Sequence, residues 1–157
     1  NKSKLQQTKN KRRKVMKNKR IKAMAVILSA GMALGMNGML AKASDDNHSF
    51  SFTMKSKQAN SYNAAARYRQ TSNPNNKWKV NLQNSAEGAG TISIFWIARA
   101  DNKKAASNKY KVAQGTGAHY YNANNNGNQT DVQLAAKNNN NSSKSYKISG
   151  VWDEETN

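Results

Sequence analysis

No cysteine occurs in the chain, and that one absence removes disulfide staples, thiolate metal sites, thiol catalysis and a lipid-modified N-terminal cysteine together. Acidic residues are scarce: eight Asp and Glu stand against 26 Lys and Arg. Histidine is scarcer, with only His48 and His119 to serve as a base. Long hydrophobic runs are missing too. The strongest, Ala23 to Met36 (AMAVILSAGMALGM), counts fourteen residues, against the roughly 20 that cross a bilayer. Gly31, Gly35, Asn37 and Gly38 weaken any longer span. No P-loop, dinucleotide fingerprint, HExxH or GxSxG pattern is present.

What is there begins with a three-part leader. A basic region over residues 1–22 meets the apolar region 23–36, and a broken segment ends in Ala41-Lys42-Ala43 before Ser44. A positive end that stays inside, a short apolar helix and small residues for the peptidase are the layout of a secretory signal peptide. It predicts cleavage after Ala43, with Ala41 and Ala43 filling the peptidase pocket and Ser44 leading the mature chain. A transmembrane anchor is the competing reading, disfavoured by the short apolar run. Met16 offers an alternative start that gives a signal of ordinary length. The expected product is secreted by the general secretory route, touching membrane only through the leader before it is cut.

Removing residues 1–43 changes the charge argument. Twelve of the 26 cations lie there and all eight acids lie beyond, leaving 14 against 8, a net +6. Lys11 to Lys14 (KRRK), which alone resemble a nucleic-acid patch, read as the inside-positive flank of the signal. No nucleic-acid partner is expected. The remaining 114 residues, 44–157, are a normal size for a single domain and bury enough surface for one core without staples.

Apolar residues in that domain recur at every second position, the spacing of a half-buried strand. Phe50, Phe52 and Met54 form one set; Trp78, Val80 and Leu82 another. Tyr110 and Val112, then Val132, Leu134 and Ala136, then Tyr146, Ile148, Gly150 and Trp152 continue the pattern. Thr91 to Ala98 (TISIFWIA) is apolar on both faces, which predicts a central strand. These make six strands. Ser61 to Arg69 (SYNAAARYR) is a weaker candidate because its three alanines fit a short helix equally well, and His119 to Ala123 is another. Turn formers separate them, including Asn73-Pro74-Asn75-Asn76, Glu87-Gly88-Ala89-Gly90 and Gly115-Thr116-Gly117. The predicted fold class is all-β, a small antiparallel β-sandwich or barrel-like domain behind an N-terminal signal helix.

Lys77 and Lys79 flank Trp78, and Lys109 and Lys111 flank Tyr110, so lysines point away from the core. Solvating the outward faces and discouraging edge pairing is one role for them. Attraction to anionic cell-wall or membrane-surface polymers is the sharper one, and salt would screen it. Oligomeric state is not encoded in the pattern.

Candidate chemistry is thin. His48 falls at an expected frayed start, DDNHSF. His119, Tyr120 and Tyr121 follow a glycine pair and are the ligand-binding candidates, although a turn entering a strand, with one tyrosine in and one out, explains the same letters. Trp78, Trp96 and Trp152 are expected in the core rather than on a sugar-stacking surface. The acids sit in Asp45-Asp46 and Asp153-Glu154-Glu155, with Glu87, Asp101 and Asp131 alone, and a solvated terminus accounts for the last run. A Ca²⁺ site there lacks EF-hand spacing. No catalytic residue, no metal and no cofactor are predicted.

SYNAAARYRQT (61–71), KWKVNL (77–82), SAEGAGTISIFWIARAD (85–101) and SGVWDEET (149–156), in this order behind a signal peptide, resemble a family of small secreted Gram-positive proteins defined only as a domain of unknown function. The closing WDEET is the most specific part. The resemblance implies export and a compact domain, and carries no catalytic residue. A looser similarity, of architecture alone, is to lactococcin 972-type bacteriocins. The sequence thus predicts a secreted, non-catalytic protein that binds at or outside the bacterial surface. A bacteriocin-like toxin is the alternative, and a small hydrolase using His119 a distant third.

Overall fold

A computed structural model describes residues 45–156. The leader, with its cleavage residues Ala41, Ala43 and Ser44, lies outside the described residues. Eight strands follow in order: β1 (His48–Met54), β2 (Ser61–Arg69), β3 (Trp78–Ser85), β4 (Ile92–Arg99), β5 (Tyr110–Ala113), β6 (His119–Tyr121), β7 (Thr130–Asn138) and β8 (Tyr146–Asp153). A single 3-10 turn, Asn125–Gly127, precedes β7. The strands form two antiparallel sheets, ordered β1-β8-β3-β6 and β2-β7-β4-β5. The fold is the all-β sandwich that the alternation predicts.

The core follows from the same alternation. Phe50, Met54, Trp78, Val80, Leu82, Ile148 and Trp152 of the first sheet meet Phe95, Ile97, Val112, Val132, Leu134 and Ala136 of the second. Burying such side chains contributes about 1.5–3 kcal/mol each, the main term available to a domain without staples. All six alternating segments are strands, and TISIFWIA supplies β4, an interior strand between β7 and β5. Its outward side is also covered: Trp96, Ala98 and Ala135 cluster beneath Tyr62. The three tryptophans are buried as expected.

Gly150 lies at the middle of β8, opposite Phe50 on one side and Leu82 on the other. A Cβ there would come within 2.0 Å of the Asn81 carbonyl oxygen, so only glycine lets β3 and β8 close.

Two segments resolve an ambiguity. Ser61 to Arg69 is a strand, because the ladder to β7 outweighs the helical tendency of its alanines. Ala64 to Ala66 are exposed where the register shifts between Tyr62 and Ala66, a bulge that small side chains tolerate. His119 to Tyr121 is an edge strand, entered by a turn in which Gly115 and Gly117 take φ of 77° and 86°.

Candidate functional site

The three ligand-binding candidates separate. Tyr121 turns inward and stacks on Tyr110, with ring centroids 3.8 Å apart and planes within 8°, next to Trp78. Tyr120 turns outward and is 44% exposed. His119 Nε2 lies 2.8 Å from the Thr116 hydroxyl. That hydroxyl also reaches the Ala113 carbonyl at 2.8 Å, so the imidazole, the hydroxyl and the carbonyl are joined across the turn. His119 thereby braces the turn.

Tyr120 borders a cleft. It lines an open depression of about 480 Å³ with Asp45, Asn75, Lys77 and Thr156. Beside this depression, the strand register sets Tyr120, Lys79 and Asp153 in a row across β6, β3 and β8. Lys79 is only 2% exposed and pairs with Asp45. It does not solvate the outward face as the flanking-lysine pattern predicts, because the Asp45 carboxylate supplies a counter-charge there.

The expected solvated terminus is also corrected. Asp153, Glu155 and Thr156 are buried, at 1%, 4% and 6% exposure. Arg69, buried at the end of β2, donates to the backbone carbonyls of Glu154, Asn73 and Asn76. The Glu155 carboxylate accepts from the backbone N–H groups of Gln70 and Thr71 at 3.0 and 2.8 Å. Thr156 closes the clamp with its N–H and hydroxyl on the Lys77 carbonyl. Burying these charges is costly only when they are unpaired, and the clamp pairs them through backbone groups.

The same burial displaces the ionisation of what it encloses. Desolvation pushes Asp153 up to about 6, helped by Glu154 and opposed by hydrogen bonds from backbone N–H groups and by Lys79. It raises Glu154 above the usual carboxylate range, against the pull of Arg67. It lowers Arg69, although Glu155, Glu154 and Asp153 act the other way.

His48 is not frayed. It opens β1 opposite Trp152, with Nε2 at 3.9 Å from Glu154 Oε2 and 4.0 Å from Asp46 Oδ2. The two acidic runs, far apart in sequence, thus meet at one corner. The signal that could find this is the pairing of β1 with β8, which sets the residues before Phe50 beside those after Trp152.

A second surface is cationic. On the outer face of the β2-β7-β4-β5 sheet, Lys111 and Lys137 stand on either side of Ile94. Lys109 lies over the Trp96 ring at 4.5 Å, and Lys103 over Tyr62 at 5.7 Å. The lysines that flank Tyr110 do project outward.

Comparison with curated proteins and with solved structures yields no match. Residues 37–156 match a family described as protein of unknown function, which spans the closing WDEET and the other segments that carry the resemblance. The chain belongs to that family, DUF2712.

Proposed function

We propose that the protein works outside the cell, freed of its leader, as a non-catalytic binding protein for anionic phosphate-bearing polymers of the bacterial envelope. One observation carries this reading: four lysines gather on one sheet face, Lys103 over the Tyr62 ring, Lys109 over the Trp96 ring, and Lys111 and Lys137 on either side of Ile94. Clustered cations on one face raise the local concentration of a polyanion, and a periodic polymer gives each lysine a partner.

The test is sedimentation of the protein with purified cell walls, and separately with anionic lipid vesicles, at low and high salt. Retention on walls at low salt, released by salt and lost in a Lys109→Gln, Lys111→Gln, Lys137→Gln variant, is expected. Equal retention by that variant would sink the reading, and vesicle binding alone would move the partner from wall polymer to lipid headgroup. The same face suits a bacteriocin-like toxin, which a clear zone on a lawn of related bacteria would reveal. Turnover abolished by His119→Ala in a folded protein would favour the hydrolase instead.

A further inference from the structure

We propose that His48, Asp153 and Glu154 form a binding site for a first-row divalent cation, Zn²⁺ above all, at the corner where β1 begins and β8 ends. One donor atom from each of the three lies within 4.8 Å of the other two. A tetrahedral Zn²⁺ with bonds of about 2.0–2.1 Å holds its ligands about 3.4 Å apart. The 3.9 Å from His48 Nε2 to Glu154 Oε2 is thus a small side-chain adjustment from ligation. Asp46, whose Oδ2 is 4.0 Å from the same nitrogen, stands where a fourth ligand or a water would be.

Acidic side chains crowd many surfaces without binding anything, so the burial matters more than the count. Asp153 is 1% exposed, and its Oδ2 has no hydrogen-bond partner among the described residues. Glu154 Oε2 is buried and likewise without a partner. A buried, unpaired carboxylate oxygen calls for an explanation, and a cation between the two satisfies both. The nearby cations do not remove the need. Lys79 is engaged by Asp45, and Arg67 acts on Glu154 without hydrogen-bonding the free oxygen.

The ligands are also held in place. Arg69 fixes the Glu154 carbonyl, Glu155 is drawn away to Gln70 and Thr71, and the Glu155 N–H donates to Asp153 Oδ1, leaving Oδ2 without a hydrogen bond. The donor set selects the metal: an imidazole with carboxylates suits zinc and its neighbours, whereas Ca²⁺ takes oxygen ligands only. The proposal is independent of polymer binding, which belongs to the other sheet.

The experiment is calorimetric titration of the full chain, purified without a polyhistidine tag and stripped with chelator, using Zn²⁺ and then Ca²⁺. One Zn²⁺ per chain is expected, weakened at least roughly tenfold by His48→Ala and by Glu154→Gln. His119→Ala, which alters the other histidine, should bind as the parent does. X-ray absorption of the zinc-loaded protein should show one imidazole among oxygen donors. Asp153→Asn should abolish binding; if that variant fails to fold, His48→Gln at a half-buried position replaces it. No saturable uptake, uptake unchanged in both His48→Ala and Glu154→Gln, or preference for Ca²⁺ would overturn the assignment.

Discussion

The two ends of the sandwich handle polar burial in opposite ways. At the end holding Arg69 and Glu155, the central ionised groups are tied to backbone, with Asp153 Oδ2 and Glu154 Oε2 the exceptions: Arg69 donates to three carbonyls and Glu155 accepts two N–H groups. At the end holding Ser93, Asn138 and Tyr146, the polar groups are loosely joined. Tyr146 Oη lies near both Ser93 and Glu87, yet Tyr146 Oη, Ser93 Oγ and Glu87 Oε2 make no well-aligned hydrogen bond among the described residues, and the bond from Asn138 Nδ2 to Glu87 Oε1 is long at 3.4 Å. Glu87 and Tyr146 border a depression of about 340 Å³, open enough for water. The first end is a clamp assembled from charge, and the second is a loosely bonded polar plug beside an open depression.

Breaking the clamp should produce the largest effect. Arg69→Ala leaves the carbonyls of Glu154, Asn73 and Asn76 without their donor and strips the compensating charge from Glu155. A loss of about 3–5 kcal/mol is expected, read from urea denaturation at neutral pH. A loss below about 1 kcal/mol would mean that water serves the carbonyls as well as Arg69 does, and the contrast between the ends would collapse.

The second end should show itself in alkali. Burial, with Glu87 adding to it, pushes Tyr146 up to about 12. Below about pH 10 the phenol is protonated in both folded and unfolded chains, so its contribution is complete. Between about 10 and 12 the unfolded chain ionises first, and stability falls as pH rises, by up to about 3 kcal/mol. Tyr146→Phe should flatten that part of the stability curve relative to the parent while changing little at pH 7. A parent curve parallel to that of Tyr146→Phe would show the phenol to be well solvated.

Much of this architecture is legible in the sequence. Period-two spacing marks six strands because each buries one face, and the two-sided apolarity of TISIFWIA marks an interior strand for the same reason. Tyr120 and Tyr121, adjacent in a strand, must face opposite ways, and they do. The alanines of Ser61 to Arg69 conceal a strand because only the ladder to β7 decides the matter. The corner is concealed more deeply. A buried Lys79 looks like any outward lysine until Asp45, 34 residues away, is laid over it. DEET looks like a solvated tail until Arg69, 85 residues from Glu154, draws it inward. Local spacing reports which face a side chain takes, but not which distant charge waits there.

The middle of the sandwich provides a reference against which both ends can be read. Gly150→Ala would force a methyl to within 2.0 Å of the Asn81 carbonyl oxygen, and separating β3 from β8 should cost about 1–3 kcal/mol. Because the change touches neither end, the alkaline slope should survive it. If the slope flattens as it does in Tyr146→Phe, the two regions are coupled through β8 and cannot be treated as separate.

The smallest expected effect is the most discriminating. Glu87→Gln keeps the shape of the plug, removes a carboxylate whose Oε2 is buried without a partner, and leaves an amide that can still meet Asn138 and Tyr146. Stability at pH 7 should move by less than about 1 kcal/mol, in the favourable direction, since a weakly bonded carboxylate is replaced by a neutral group of the same shape. The phenol is the more sensitive gauge. Desolvation is the first cause of its upward displacement and Glu87 the second, so ultraviolet titration of the variant should find Tyr146 ionising earlier than in the parent but still above an ordinary tyrosine. A full return to ordinary behaviour would make the carboxylate, rather than burial, the dominant cause. The second end would then be electrostatic like the first, differing only in the sign of the group it encloses.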